Sequence, residues 1–158
     1  MTEFAPPTPT LSLAFQACVR IGTPLDLGMV GGGRKRIVPV TGGRVTGERF
    51  SGDVLPGGAD WQILRPDGVL DVTARYTVRA DDGSIVSIVN TGYRHGPADV
   101  LDRVVAGESV DPALYYFRTT PRFEAPDDSR HAWLNQNVFV CSAARFSDRV
   151  MLRFFTVG

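Results

Sequence analysis

Turn residues recur at short, nearly regular intervals through the middle of this chain, and that spacing constrains the fold more than any other feature. Gly42-Gly43, Pro56-Gly57-Gly58, Pro66-Asp67-Gly68 and Asp81-Asp82-Gly83 are separated by short runs rich in Val, Ile, Leu, Tyr and Trp. Single charged or polar residues interrupt each run. The pattern is that of antiparallel strands joined by tight turns.

The flanks extend it. Over 11–21, Leu11, Leu13, Phe15, Ala17, Val19 and Ile21 share one face, while Ser12, Gln16 and Arg20 share the other; this is period-two strand alternation. Over 69–80 the apolar set is Leu70, Val72, Ala74, Tyr76 and Val78, and the polar set is Asp71, Thr73, Arg75, Thr77 and Arg79. Strands are also predicted over 36–40, 45–55, 61–64, 85–93, 115–123, 133–143 and 149–157. Gly47 and Gly52 inside one of these mark a bend or bulge of the kind needed to curl a sheet. Helical spacing of Val100, Leu101, Val104 and Val105, with Pro97 at the start and Gly107 at the stop, predicts one short helix. Residues 22–35 read as a glycine-rich loop, a lid or rim over one end of the sheet. The Gly28 to Gly33 spacing of a phosphate loop fails, because Arg34 and Lys35 stand where Lys and Ser/Thr belong. Residues 1–10 carry three prolines and are expected to be a flexible tail, leaving 11–158 as a single domain.

An all-β, mainly antiparallel chain of 158 residues closes as a sandwich or a barrel. The glycine-bent strands favour a barrel, and one of about eight strands has room for a small ligand. Formal net charge is zero, so neither a nucleic acid nor an anionic membrane is indicated as a partner. No apolar run approaches the ~18 residues of a membrane span, and the first residues do not resemble a secretion signal. With two cysteines, Cys18 and Cys141, both in strand-like runs, a cytoplasmic setting with free thiols is expected.

Several ordered motifs carry a family resemblance from about Leu11 to the end. They are Gly42-Gly43; the run Gly52-Asp53-Val54-Leu55-Pro56-Gly57-Gly58-Ala59-Asp60-Trp61; Pro66-Asp67-Gly68; Ala74-Arg75-Tyr76; Asp82-Gly83; Gly92-Tyr93-Arg94; Tyr116-Phe117-Arg118; and Trp133-Leu134-Asn135. On these the chain resembles the bacterial and fungal proteins grouped as domain of unknown function 3237, also called the UPF0311 group. The resemblance implies a closed or nearly closed barrel, like those of lipocalins or allene oxide cyclase. It implies no settled activity.

The residue types suggest a site. Asp60 and Trp61 follow a turn and point to opposite faces, so Asp60 is either a general base raised by burial or a turn cap. Asp53, Asp60 and Asp71 are candidate partners for strand arginines. Arg75 and Arg118 sit mid-strand beside aromatics, suited to an oxygen anion if they face the lumen. Alternation alone does not say which face that is. Trp133, Asn135, Asn137 and Phe139 are expected on one strand face, a setting for fixed polar contacts in an apolar pocket; Tyr93 and Tyr116 are further ligand contacts. No metal-ligand spacing involves His95 or His131, and no nucleophile elbow or dinucleotide fingerprint is present. The expectation is a cofactor-free barrel binding a hydrophobic or aromatic oxygenated compound. As an isomerase, cyclase or lyase it would use Asp60 and Arg75 as catalytic groups. Asp53, Trp61, Tyr93, Tyr116, Arg118, Trp133 and Asn135 would hold the substrate. The alternative is a non-catalytic carrier or interaction module. A homodimer is expected from apolar surface at Phe146, Phe154 and Phe155.

Overall fold

The computed structural model describes residues 4–158. Ten strands lie among them: β1 (Leu11–Ile21), β2 (Leu25–Val30), β3 (Gly33–Thr46), β4 (Gly52–Val54), β5 (Ala59–Leu64), β6 (Leu70–Ala80), β7 (Ile85–His95), β8 (Tyr116–Glu124), β9 (Val138–Arg145) and β10 (Arg149–Val157). One α-helix, α1 (Ala98–Val105), follows β7. Residues 4–10 are exposed up to Thr10, which exchanges backbone hydrogen bonds with Gly158 at 2.7 and 2.9 Å. Residues 1–3 of the expected tail lie outside the described residues.

All strand pairings are antiparallel, and the sheet closes on itself. β1 pairs with β10 on one side and with β3 on the other. The remaining order runs β10-β9-β8-β7-β6, and β4 and β5 lie end to end between β6 and β3. With β2 set aside and β4 and β5 sharing one position, the ten strands make an eight-position barrel. Period-two alternation then sends every second side chain inward.

Five phenylalanines fill one end of the interior. Phe15 stacks on Phe154 at 4.8 Å and meets Phe50 edge-on at 5.1 Å, and Phe123 meets Phe139 at 4.8 Å. All five are buried, and edge and offset contacts of this kind add to their area burial. Phe154 is completely enclosed, so it offers no surface for self-association.

Several local expectations change. Residues 22–35 are not a loop: β2 and the start of β3 form a hairpin, with Gly28 at φ 76° in an irregularity of the ladder and Gly32 at φ 105° in the turn. Leu25, Leu27 and Met29 are all exposed, so the pairing leaves no buried face for a sequence pattern to register. β3 continues through Gly42-Gly43 instead of breaking there. Gly43 has φ 140°, and a Cβ there would lie 2.1 Å from the Cys18 carbonyl oxygen across the β1–β3 seam. The predicted strand 45–55 is divided at Gly47–Ser51, where the Ser51 hydroxyl bonds both backbone groups of Gly47 and the loop delivers Phe50 to the plug. The strand expected over 133–143 begins only at Val138; Ala132–Gln136 form a 3₁₀ turn. β8 and β9 pair only at Arg118–Ser142 and Thr119–Cys141. Pro97 caps α1 from outside its first turn, and Gly107 at φ 82° follows its end.

The seam makes a prediction. Gly43→Ala combines an unfavourable φ with a clash against backbone, and should lower unfolding free energy by about 3 kcal/mol or more. Denaturant unfolding measures this; a change within about 0.5 kcal/mol would mean that β1 and β3 are not tightly joined there.

Candidate functional site

Above the phenyl plug the interior turns polar. Three lateral rungs of inward side chains can be read from the register. The first runs Val38, Asp60, Ala74, Asn90; the second Arg36, Gln62, Val72, Gly92, Thr119; the third Arg34, Leu64, Leu70, Arg94, Phe117. Ala74 and Gly92 are the small members, and they leave space between larger neighbours. A Cβ at Gly92 would lie 2.2 Å from the Arg118 carbonyl oxygen, so close packing of β7 on β8 requires glycine there. The resulting cavity is small, about 50 Å³, within about 570 Å³ of non-protein space that is partly open to solvent. Asp60, Gln62, Tyr76, Asn90, Arg94, Thr119 and Arg145 contribute its polar lining, with Val19, Val38, Val72, Phe117 and Leu152 among the apolar members.

A hydrogen-bonded relay crosses this wall. Arg36 Nη2 donates to Gln62 Oε1 at 2.9 Å, and Gln62 Nε2 donates to Asp60 Oδ2 at 2.8 Å. The Thr73 backbone N–H donates to Asp60 Oδ1 at 3.0 Å. The carboxylate is thereby fixed in place, while each oxygen retains a lone pair for a further donor. Burial nevertheless dominates: desolvation raises the Asp60 pKa above its ordinary value, against the lowering effect of Gln62, Thr73, Arg94 and Arg36.

Arg94 is the most unusual group. Its side chain is buried, and Nη1 has no hydrogen-bond partner. Desolvation, with the like charges of Arg145 and Arg36, lowers its pKa to about 10, so it remains a cation at neutral pH. Desolvation also lowers that of Arg145. Tyr76 Oη, Asn90 Oδ1 and Thr119 Oγ1 are likewise buried without partners. Burial holds the Tyr76 hydroxyl far above the usual tyrosine range, so it is a donor rather than a phenolate. Cys141 lies beneath, its thiol pushed up to about 12 by burial and therefore unreactive.

Of the residues singled out from the sequence, Asp60 lines this cavity. The others lie elsewhere, and strand phase is the reason for most of them. Arg75 is out of phase with Tyr76 and stands exposed on the outer wall. Asp53 is exposed and held by Arg44 at 3.1 Å. Asp71 lies near Arg65 at 3.8 Å on the outer face. Trp61 and Tyr93 are partly exposed on the outer wall. Tyr116 stacks on His95 at 4.7 Å, with the Arg118 guanidinium 5.6 Å from its ring, again outside. Trp133 packs beside the plug under Arg49, 4.1 Å from its ring centre. Asn135 is structural: its amide exchanges hydrogen bonds with Ala125 N and O at 2.7 and 2.8 Å, spanning the gap between β8 and the turn before β9. Asn137 bonds the Trp133 carbonyl, so these residues share no strand face.

Sequence reading missed Arg94, Asn90, Gln62, Thr119 and Arg145. A signal existed. Asn90 and Arg94 are in phase with Val86 and Ile88, Thr119 with Phe117 and Phe123, and Arg145 with Phe139, Cys141 and Ala143.

Asp60 makes a pH-dependent prediction. Its raised pKa means that the folded state holds the proton more tightly than the unfolded chain. The stability it contributes is therefore complete below its ordinary value of 3.8 and is lost as pH rises through the folded value. Asp60→Asn should raise the melting temperature at about pH 7, with the gain vanishing near about pH 3. A variant less stable than the parent at neutral pH would show that the partners outweigh desolvation.

Comparisons with known proteins agree with this architecture. A model of the family described as "Protein of unknown function (DUF3237)" matches residues 9–157. A UPF0311 protein of Rhodopseudomonas palustris (strain TIE-1) is 46% identical over 147 residues, covering 92% of this chain and 95% of that protein. The crystal structure of a conserved protein of unknown function from Rhodopseudomonas palustris superposes with a TM-score of 0.92 at 44% identity, covering 97% of this chain and all of the other. A β-barrel-like protein from Acinetobacter baumannii gives 0.85 at 35% identity, covering 99% of this chain and 100% of that one.

Proposed function

This chain belongs to the DUF3237 family, and from that premise we propose that it is a small-molecule-binding barrel whose lumen receives an oxygen anion or carbonyl at Arg94. One observation carries the reading: four buried side-chain polar atoms, on Tyr76, Asn90, Arg94 and Thr119, have no protein partner, and all four residues line one cavity. An unpaired buried polar group costs about 1–3 kcal/mol, and more when charged. A fold whose net stability is only about 5–15 kcal/mol keeps four such groups together where a ligand or solvent meets them. Around them lie the cations Arg36, Arg94 and Arg145 and the carboxylate of Asp60, a surplus of positive charge that favours an anionic oxygen.

The same arrangement supports acid–base chemistry without a cofactor. In its ionised form Asp60, made more basic by burial, takes the proton from a carbon next to a carbonyl. The electron pair moves onto the carbonyl oxygen, and Arg94 stabilises the resulting enolate. Returning that proton to a different carbon completes an isomerisation. The apolar walls favour a hydrophobic or aromatic compound bearing the oxygen.

Calorimetric titration with benzoate and 4-nitrophenolate tests the reading. Arg94→Met should weaken binding at least about 10-fold, the effect of losing one charge-assisted hydrogen bond. Arg75→Ala, on the outer wall, should leave it unchanged. Equal losses in the two variants, or none at Arg94, would remove the lumen as the site.

A further inference from the structure

Arg94 borders a second hollow outside the lumen. It lies between α1, the β2–β3 hairpin and the β5–β6 turn, with a volume of about 440 Å³ within about 1060 Å³ of space partly open to solvent. Its floor is the third rung: Arg94, Leu70 and Leu64 are successive lateral neighbours in the register. Ala98, Leu101 and Val105 of α1 line the hollow and share one helix face by their spacing. The helix already buries Val100 and Val104, so this is a second apolar stripe. Val105 is 63% exposed and Leu64 44% exposed, so the hollow presents apolar surface to solvent.

From this continuity we infer that the ligand is amphipathic, with an anionic oxygen head on Arg94 and an apolar chain lying in the hollow beneath α1. The inference rests on the reading of the lumen and specifies what that reading leaves open. A head bound at Arg94 has two directions to extend. Inward, the plug of Phe15, Phe123, Phe139 and Phe154 blocks the barrel. Outward, a chain leaving Arg94 passes over Leu70 and Leu64 and faces Leu101 and Val105. Of the cations bordering the hollow, Arg34 is engaged with Asp26 in an ion pair and Arg36 with Gln62, while the Asp102 carboxylate on α1 also lines it and favours an uncharged chain there over a second anionic group. Arg94 is left as the cation with an uncommitted donor in contact with both spaces.

Straight-chain carboxylates from butyrate to decanoate, titrated into the intact chain, test this. The dissociation constant should fall by up to about fourfold per added methylene, the value for full burial of a CH₂, and then level off once the hollow is filled. Val105→Asp and Leu64→Asp, both at exposed positions and so compatible with folding, should abolish the length dependence and cost decanoate far more than butyrate. Arg94→Met should weaken every member. Binding that persists without length dependence would overturn the amphipathic ligand and leave the lumen reading intact, as would an equal loss of butyrate and decanoate in Val105→Asp. Absence of binding by any carboxylate would sink the lumen reading and this inference with it. Self-association suppressed by Val105→Asp, with no effect of chain length, would assign the hollow to a second copy of the chain.

Discussion

Closure of the sheet between β1 and β3 is the constraint on which the rest depends. An open sheet of this length leaves two hydrogen-bonding edges and one uncovered apolar face. Joining β1 to β3 removes both edges there and turns one set of alternate side chains into an interior. The strands approach so closely at the seam that Gly43 has no room for a side chain beside the Cys18 carbonyl. The inward set is then not uniform. Phenylalanines collect at one end, and Asp60, Gln62, Asn90, Arg94 and Thr119 collect above them.

The two ends have opposite energetic consequences. Each fully buried phenyl group stabilises the fold by about 1.5–3 kcal/mol, while each unpaired polar group costs a similar amount. The plug therefore offsets a lumen that opposes folding. The raised pKa of Asp60 and the lowered pKa of Arg94 are two expressions of that opposition, because desolvation is the largest cause of both. On the proposed reading, groups held at such a cost by a rigid wall are already oriented for a ligand, which lowers the cost of ordering on binding.

The candidate site was only partly legible. Asp60 stood out because it follows a turn and begins a strand, and its phase put it opposite Trp61. Arg75 and Arg118 drew attention as strand arginines, yet both are out of phase with the buried residues of their own strands and stand on the outer wall. Arg94 lies in a motif that the sequence displayed, Gly92-Tyr93-Arg94, where the tyrosine draws attention first. Its burial follows from its phase with Val86 and Ile88, and a charged residue is not ordinarily assigned to an interior face. Trp133 and Asn135 lie outside the lumen for a different reason. The apolar run that contains them opens as a 3₁₀ turn, because β8 and β9 part beyond Thr119 and Cys141 and the Asn135 amide replaces the missing ladder.

By itself the sequence determined most of the strands and the single helix and favoured a barrel over a sandwich, because turn residues and period-two alternation act through neighbours along the chain; the β2–β3 hairpin and the breaks at Gly47–Ser51 and Ala132–Gln136 left no such pattern. The strand of residues 11–21 and that of residues 149–157 have the predicted bounds for this reason. Only the tertiary structure decided which face became the lumen, that Arg94, Asp60 and Asn90 share it, and that α1 lies beside the third rung. Those facts depend on register between strands far apart in sequence. A shift of one residue in pairing exchanges every inward side chain for its neighbour, and no local pattern carries that information.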